Sequence, residues 1–410
     1  MKNLGRFGLA AVLFVALAAL QDGAVVKAAG APAESASGAY RVLDPIASGD
    51  LLLFPVVRTD GKSGAESPFI TLDEGLKSGE VEVTEAGRAR GLVRPRGGRS
   101  PQVDSNSDRG DEVNTLVLVN HSKRPLLLLA GEIVTGGKQD RIVAKDRIVP
   151  ADADPIDLTV FCIEPGRWTE SSSEFGASAK SSAQSFMVQP EVRERAMVEQ
   201  DQQQVWNSVH GTIAQMESAA SAPAAADAGG IRYPAAPPTT TSYAKVMASP
   251  AVSERVDEAA AQVTSAREQV LAKLRGEHAV GVVVAVHGEL VWADLFASTD
   301  LLSRYWTKLV RSYAAESLTE NENHADSGGA PTMNDAQHFL NAPASGTENS
   351  EGEVGVYRYR ELTSGGTETF VLESLLPGAA YNVHISKMKL RGEKRYTPKP
   401  QPIHQPQMYR

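Results

Sequence analysis

Two short polar runs in the middle of the chain carry the residue types that binding or catalysis needs. One is Gly136-Gly137-Lys138-Gln139-Asp140-Arg141 and the other is Glu164-Pro165-Gly166-Arg167-Trp168. Adjacent glycines turn tightly and expose successive backbone N–H groups, which can line an anion nest. Lys138 adds a mobile charge, and Arg141 adds a planar fork suited to carboxylate or phosphate. Gln139 both donates and accepts, so it can orient what is bound. The competing reading is a hairpin turn with solvated charges.

Carboxylates stand close to both runs. From Ile156, the residues Ile156, Leu158, Val160, Cys162 and Glu164 share one strand face, so Glu164 ends a face that points into the core. A carboxylate there needs a cationic partner or a shifted pKa, and Arg141, Arg147 and Arg167 are the candidates. Glu132 sits likewise at the end of a leucine-rich strand. Glu132 and Glu164 are therefore the candidate acid and base of a hydrolase or transferase. Lys138, Gln139, Arg141, Arg167 and Trp168 are the candidate ligand contacts. The plainer alternative makes Glu164 to Trp168 a structural ion pair capped by an indole.

Other chemistries find less support. The segment GEIVTGGK at 131–138 resembles a phosphate-binding loop, but Gly137 occupies the lysine position and Gln139 replaces the Ser/Thr. The eight histidines show no metal-ligand spacing, so no metal and no cofactor is expected. Cys162, inside a strand, reads as a buried inert thiol. Asp146 is either a paired structural carboxylate or a site residue. His384 reads as a strand histidine, and Arg304, Lys308 and Arg311 as a solvated helix stripe.

These residues need a rigid frame. Apolar runs at Leu51–Val57, Asn114–Asn120, Leu126–Val134, Ile142–Val149 and Ile156–Glu164 read as strands, separated by turn-rich segments. Helices are expected at Thr71, over Glu191–Met216, after Ser249-Pro250 and after Ser298. Three late strands follow from Val354. The fold class is α+β: a mostly antiparallel sheet flanked by about three long helices. The expected main domain spans 45–317, with an Arg/Gly-rich insertion at 86–112 and an Ala/Pro-rich linker at 217–248. A disordered insertion is expected at 318–352, strands joining the main sheet at 353–390, and a disordered tail at 391–410.

The first 28 residues read as a signal peptide: Lys2 and Arg6, the apolar run Gly8–Leu20, and small residues Val26 and Ala28 before the cut. The run is shorter than the roughly 20 residues of a membrane span. A flexible leader at 29–44 would follow. Export with one cysteine predicts a periplasmic or secreted protein that is stable by packing alone. No lasting membrane insertion is expected after cleavage. The formal charge is −9, and removal of the signal makes it more negative, which argues against nucleic acid as a partner.

AGEIVTGGKQDR, CIEPGRW, QQQVWNSV and DLFASTDLLSRYWTKLVRSY, in that order, resemble the ARG and rhodanese-phosphatase-superfamily-associated protein domain. The resemblance runs from about Leu51 to the helix after Ser298, with VHIS at 383–386 a further match. The family is uncharacterised. The resemblance implies a single domain with polar positions suggestive of a ligand or active site, and a link to prokaryotic conflict systems. It points to Glu132, Lys138, Gln139, Arg141, Cys162, Glu164, Arg167 and Trp168, with Gln204, Val205 and Trp206 on a helix. An export signal departs from an intracellular defence role. Two functions stay open: a small anionic ligand bound at the glycine turn, with or without chemistry, and a non-catalytic cell-envelope module whose charges are structural.

Overall fold

The computed structural model describes residues 39–61, 66–85, 115–167, 171–172, 175–176, 186–222, 224–225, 231–232, 236, 239–264, 267–319, 329–343 and 346–390. The expected signal peptide, most of the leader, the 86–112 insertion, the 391–410 tail and Trp168 lie outside the described residues, as do parts of the 217–248 linker.

The architecture is α+β, with a large antiparallel sheet beside a closed six-stranded barrel. The sheet runs Tyr40–Val42, Leu51–Arg58, Ala279–Val286, Glu289–Phe296, Tyr381–Lys389, Thr367–Ser374, Tyr357–Ser364 and Glu348–Glu353, and Ile46–Ser48 also pairs with Leu51–Arg58. The barrel closes through Ile156–Cys162, Thr115–Asn120, Val81–Glu85, Phe175–Gly176, Ile133–Gly136 and Arg141–Val143. Alternation explains the barrel: Val81, Val83, Leu116, Leu118, Leu158 and Val160 point into one apolar core.

The two faces of the large sheet are covered differently. One bears Leu53, Val282, Val284, Trp292, Phe296 and Phe370 and joins the main core with the helices. The other bears Phe54, Val56, Val283, Ala293 and Leu295 and is covered by Ala336 and Leu340. That helix, Met333–Asn341, and the strand Glu348–Glu353 correct the expectation of disorder for the parts of 318–352 they occupy, while 320–328 and 344–345 lie outside the described residues. Thr332 and Asp335 form its capping box, and the helix buries apolar side chains despite its polar surroundings.

Local signals set the helix ends. Thr71 caps Leu72–Ser78 with Glu74 in a capping box, and Ser298 caps Thr299–Ser317. The expected helix over Glu191–Met216 is broken. Pro190–Glu194 passes through a π-turn at Arg195–Glu199, Gln200 takes a left-handed conformation, and Asp201 caps a new helix, Gln202–Ser221. An aspartate that competes for backbone N–H groups starts helices more readily than it continues them. The expected strand Leu126–Val134 is likewise two strands, Leu126–Leu128 and Ile133–Gly136, split around Gly131 at φ 86°. A Cβ at Gly131 would stand 2.5 Å from Arg193 Cγ, so this position lets the arginine past.

Candidate functional site

The glycine turn and the Glu164 corner meet. The turn links the barrel strands Ile133–Gly136 and Arg141–Val143, and the corner follows the barrel strand Ile156–Cys162, which pairs with Arg141–Val143. Arg167 ties them together. Its Nη1 donates to Gly137 O at 2.9 Å, and its Nη2 lies 2.5 Å from Glu164 Oε2 and 3.3 Å from Asp140 Oδ1.

The turn's amides are met by the protein's own carboxylates. Gly136 N–H donates to Asp140 Oδ1, Lys138 N–H to Glu85 Oε1, and Asp140 N–H to Glu164 Oε2, at 3.2, 3.1 and 3.2 Å. Ser242 Oγ donates to Asp140 Oδ2 at 2.7 Å, and Lys245 Nζ lies 3.7 Å from Glu164 Oε1. An anion therefore could not use these N–H groups without displacing a carboxylate, and any binding must run through side chains.

Those side chains differ in exposure. Lys138 and Arg167 are half-buried and the Lys245 side chain is 64% exposed, whereas Arg141 is buried with Nη2 3.9 Å from Glu85 Oε1. Gln139 is fully buried, and neither its Nε2 nor its Oε1 has a hydrogen-bond partner. Burial raises the Asp140 pKa, and the neighbouring Glu164 charge adds to that. Burial also pushes the Cys162 thiol up to about 11, consistent with an unreactive sulfur.

Glu132 stands apart from this cluster. It is buried between the strands that flank Gly131, accepts from Leu129 N–H at 2.8 Å, and lies 2.7 Å from Lys308 Nζ. Lys308 also pairs with Asp73. Burial raises the Glu132 pKa, against the pull of the Lys308 charge. Lys308 and Arg311 are buried, and Arg311 pairs with Asp257, so the expected solvated stripe is corrected. The helix Thr299–Ser317 packs against both the sheet and other helices, leaving no wholly wet side.

A second buried polar centre lies on the inner face of the large sheet. His384 Nδ1 is 2.6 Å from Asp146 Oδ2, and its Nε2 is 3.2 Å from Asp294 Oδ1. Arg193 grips Asp294 with both Nη atoms at 2.9 and 3.1 Å, and the Tyr313 hydroxyl donates to the same carboxylate. Burial opposes charge on His384, but Asp146 and Asp294 together lift its pKa to about 9. For Asp294, burial acts upward, and Arg193 and His384 outweigh it and hold the carboxyl well below the usual range. Two cations and two anions thus share one dry centre.

Of this centre the sequence offered only Asp146 as a possible site residue, and Asp140, Ser242 and Lys245 were not among the candidate contacts. The partners of His384 come from distant chain segments, so no local spacing marks them. Among the described residues, no group of three His, Cys, Asp or Glu is arranged to hold a metal, and no helix is long and apolar enough to cross a membrane.

The family model for the ARG and rhodanese-phosphatase-superfamily-associated protein domain matches residues 39–388. The chain belongs to this family. The match extends beyond the stretch between Leu51 and the Ser298 helix, so the late strands that supply His384 and Tyr359 lie within the family domain. No curated protein and no solved structure matches the chain. The family name assigns no ligand or reaction.

Proposed function

We propose that the chain binds a small anionic ligand through the side chains above the glycine turn. The observation that carries this reading is Gln139, a buried amide with neither end partnered, in the turn that runs from Lys138 to Arg141 and that Arg167 ties to Glu164. Buried amides normally find partners because stranding one costs about 1–3 kcal/mol. An anion that also carries a donor, such as hydrogen phosphate, would answer both Gln139 atoms. Lys138, Arg167 and Lys245 would neutralise its charge, while Arg141 backs Glu85 from inside.

One observation favours hydrolase or transferase chemistry at the same place. Asp140 has a raised pKa, is adjacent to Glu164 and shares Arg167 with it. Two neighbouring carboxyl groups, one of them with a raised pKa, are a pairing acid–base catalysis uses. In this form Asp140 is the acid and Glu164 the base; Glu132 belongs to the Lys308 cluster. The envelope-module reading rests on the internal pairing of the turn amides. The basic and then apolar N-terminus supports export to the periplasm or medium.

A thermal-shift comparison of wild type, Lys138→Ala and Arg141→Ala in inorganic phosphate tests the site. Phosphate at about 100 times its dissociation constant stabilises the wild type by about 2.7 kcal/mol. Lys138→Ala loses most of that gain. Equal gains in all three proteins would remove the turn as the site.

A further inference from the structure

A cleft opens between the hairpin at the edge of the large sheet and the loop that carries Lys145. It is lined by Lys145, Asn349, Ser350, Glu351, Tyr359 and Glu361. The hairpin Glu348–Glu353 and Tyr357–Ser364 supplies five of these, and Lys145 comes from the loop before Arg147–Val149. Register fixes the arrangement: Glu351 faces Tyr359 and Asn349 faces Glu361 across the hairpin. The cleft is therefore built from paired strands, which hold its width.

Its charges do not balance. Lys145 Nζ lies 2.8 Å from Glu351 Oε1, which leaves Glu361 as a second carboxylate against one ammonium. Behind it, on the neighbouring strand, stands buried Glu368, whose Oε1 accepts from Thr363 Oγ1 at 2.7 Å. Burial and the Glu368 charge both raise the Glu361 pKa.

Tyr359 supplies an independent observation. The residue is 3% exposed, and its hydroxyl is buried with no hydrogen-bond partner. Its ring is held by stacking on Phe370, with centroids 5.7 Å apart. Packing of this kind fixes the ring, which lines the cleft, and leaves its hydroxyl without a partner. Buried polar atoms ordinarily have a hydrogen-bond partner, in the protein or in water, and a donor entering the cleft would supply one here.

We propose that this cleft is a site for a small amine, distinct from the glycine turn, with the ammonium held by Glu361 and Glu351 and one N–H donated to the Tyr359 oxygen. An ammonium fits because it brings three donors and a positive charge to a wall of acceptors. Lys145 occupies part of the same charge environment and competes with the ligand. Charge-assisted hydrogen bonds to carboxylate give the site its strength.

The test is a calorimetric titration of the full chain with putrescine at fixed ionic strength, with 1,4-butanediol as the uncharged control. Putrescine binds saturably and the diol does not. Tyr359→Phe removes an unpartnered hydroxyl, so the denaturation midpoint holds or rises while putrescine weakens about fivefold. Glu361→Gln weakens it roughly tenfold, and Lys145→Met tightens it. Glu80→Gln, an exposed surface change, leaves it unaltered. Lack of saturable binding, equal binding of the diol, or unchanged affinity in both Tyr359→Phe and Glu361→Gln overturns the proposal.

Discussion

His384 Nδ1 lies 2.6 Å from Asp146 Oδ2, and the two residues stand 238 positions apart in the chain. One comes from the late strand of the large sheet and the other from the loop before Arg147–Val149, so their contact ties the barrel to the sheet. Asp146 also accepts from Ala130 N–H at 2.8 Å, which fixes its carboxylate toward the histidine.

This contact makes stability depend on alkaline pH. The folded pKa of His384, about 9, lies above the ordinary histidine value. Its contribution is complete below an unfolded pKa of about 6.5 and disappears as pH rises through the folded value. Stability should fall by on the order of 3 kcal/mol between about pH 6 and pH 10 from this group alone. Nitrogen NMR of the imidazole separates it from lysine and tyrosine titrations. His384 stays doubly protonated near neutral pH and loses its proton only in the alkaline range. A neutral ring at pH 7 would contradict the assignment.

The Glu132–Lys308 pair predicts unequal effects from its two ends. Lys308→Met leaves Glu132 buried near Asp73 and should cost about 3–5 kcal/mol. Burial already disfavours charge on Glu132, so Glu132→Gln, which keeps its shape, should cost only about 1–2 kcal/mol. Urea denaturation measures both. A larger loss for Glu132→Gln would mean that the carboxylate charge organises this cluster.

Gly137 is a steric requirement of the turn. Its φ is +50°, and an added Cβ would lie 2.3 Å from Phe175 Cζ and 2.6 Å from Glu85 Oε1. Gly137→Ala should therefore cost about 1–3 kcal/mol by overpacking, with left-handed strain added. Replacing half-buried Gly211 with Ala, where an added Cβ meets open space, serves as the comparison and should raise helix stability slightly. Equal midpoints for the two variants would show that the turn relaxes freely.

The legible parts of the molecule were those written in short range. Thr71 with Glu74, Ser298 before its helix, and Glu164 three residues from Arg167 all sit within one turn of backbone. Strand alternation placed Glu164 inward. Long-range pairing was not legible: His384 looked like an isolated strand residue because Asp146 and Asp294 approach it only after the sheet and barrel assemble. Lys308 looked solvated because charge on a helix usually faces water, and only the packing of its helix on two sides reverses that. The turn's anion nest was half legible. The amides are exposed by the glycines as expected, but Glu85 and Glu164 arrive from elsewhere and satisfy them.

The anion-site reading turns on the orphan amide of Gln139, so the most direct measurement is the stability of wild type and Gln139→Leu with and without inorganic phosphate. Leucine keeps the volume and removes both stranded atoms. The ligand-free variant should be more stable than wild type by about 1–3 kcal/mol. Its response to phosphate should vanish, while wild type is stabilised. A variant less stable than wild type, with its phosphate response intact, would contradict the reading and make Gln139 a structural residue of a non-catalytic module.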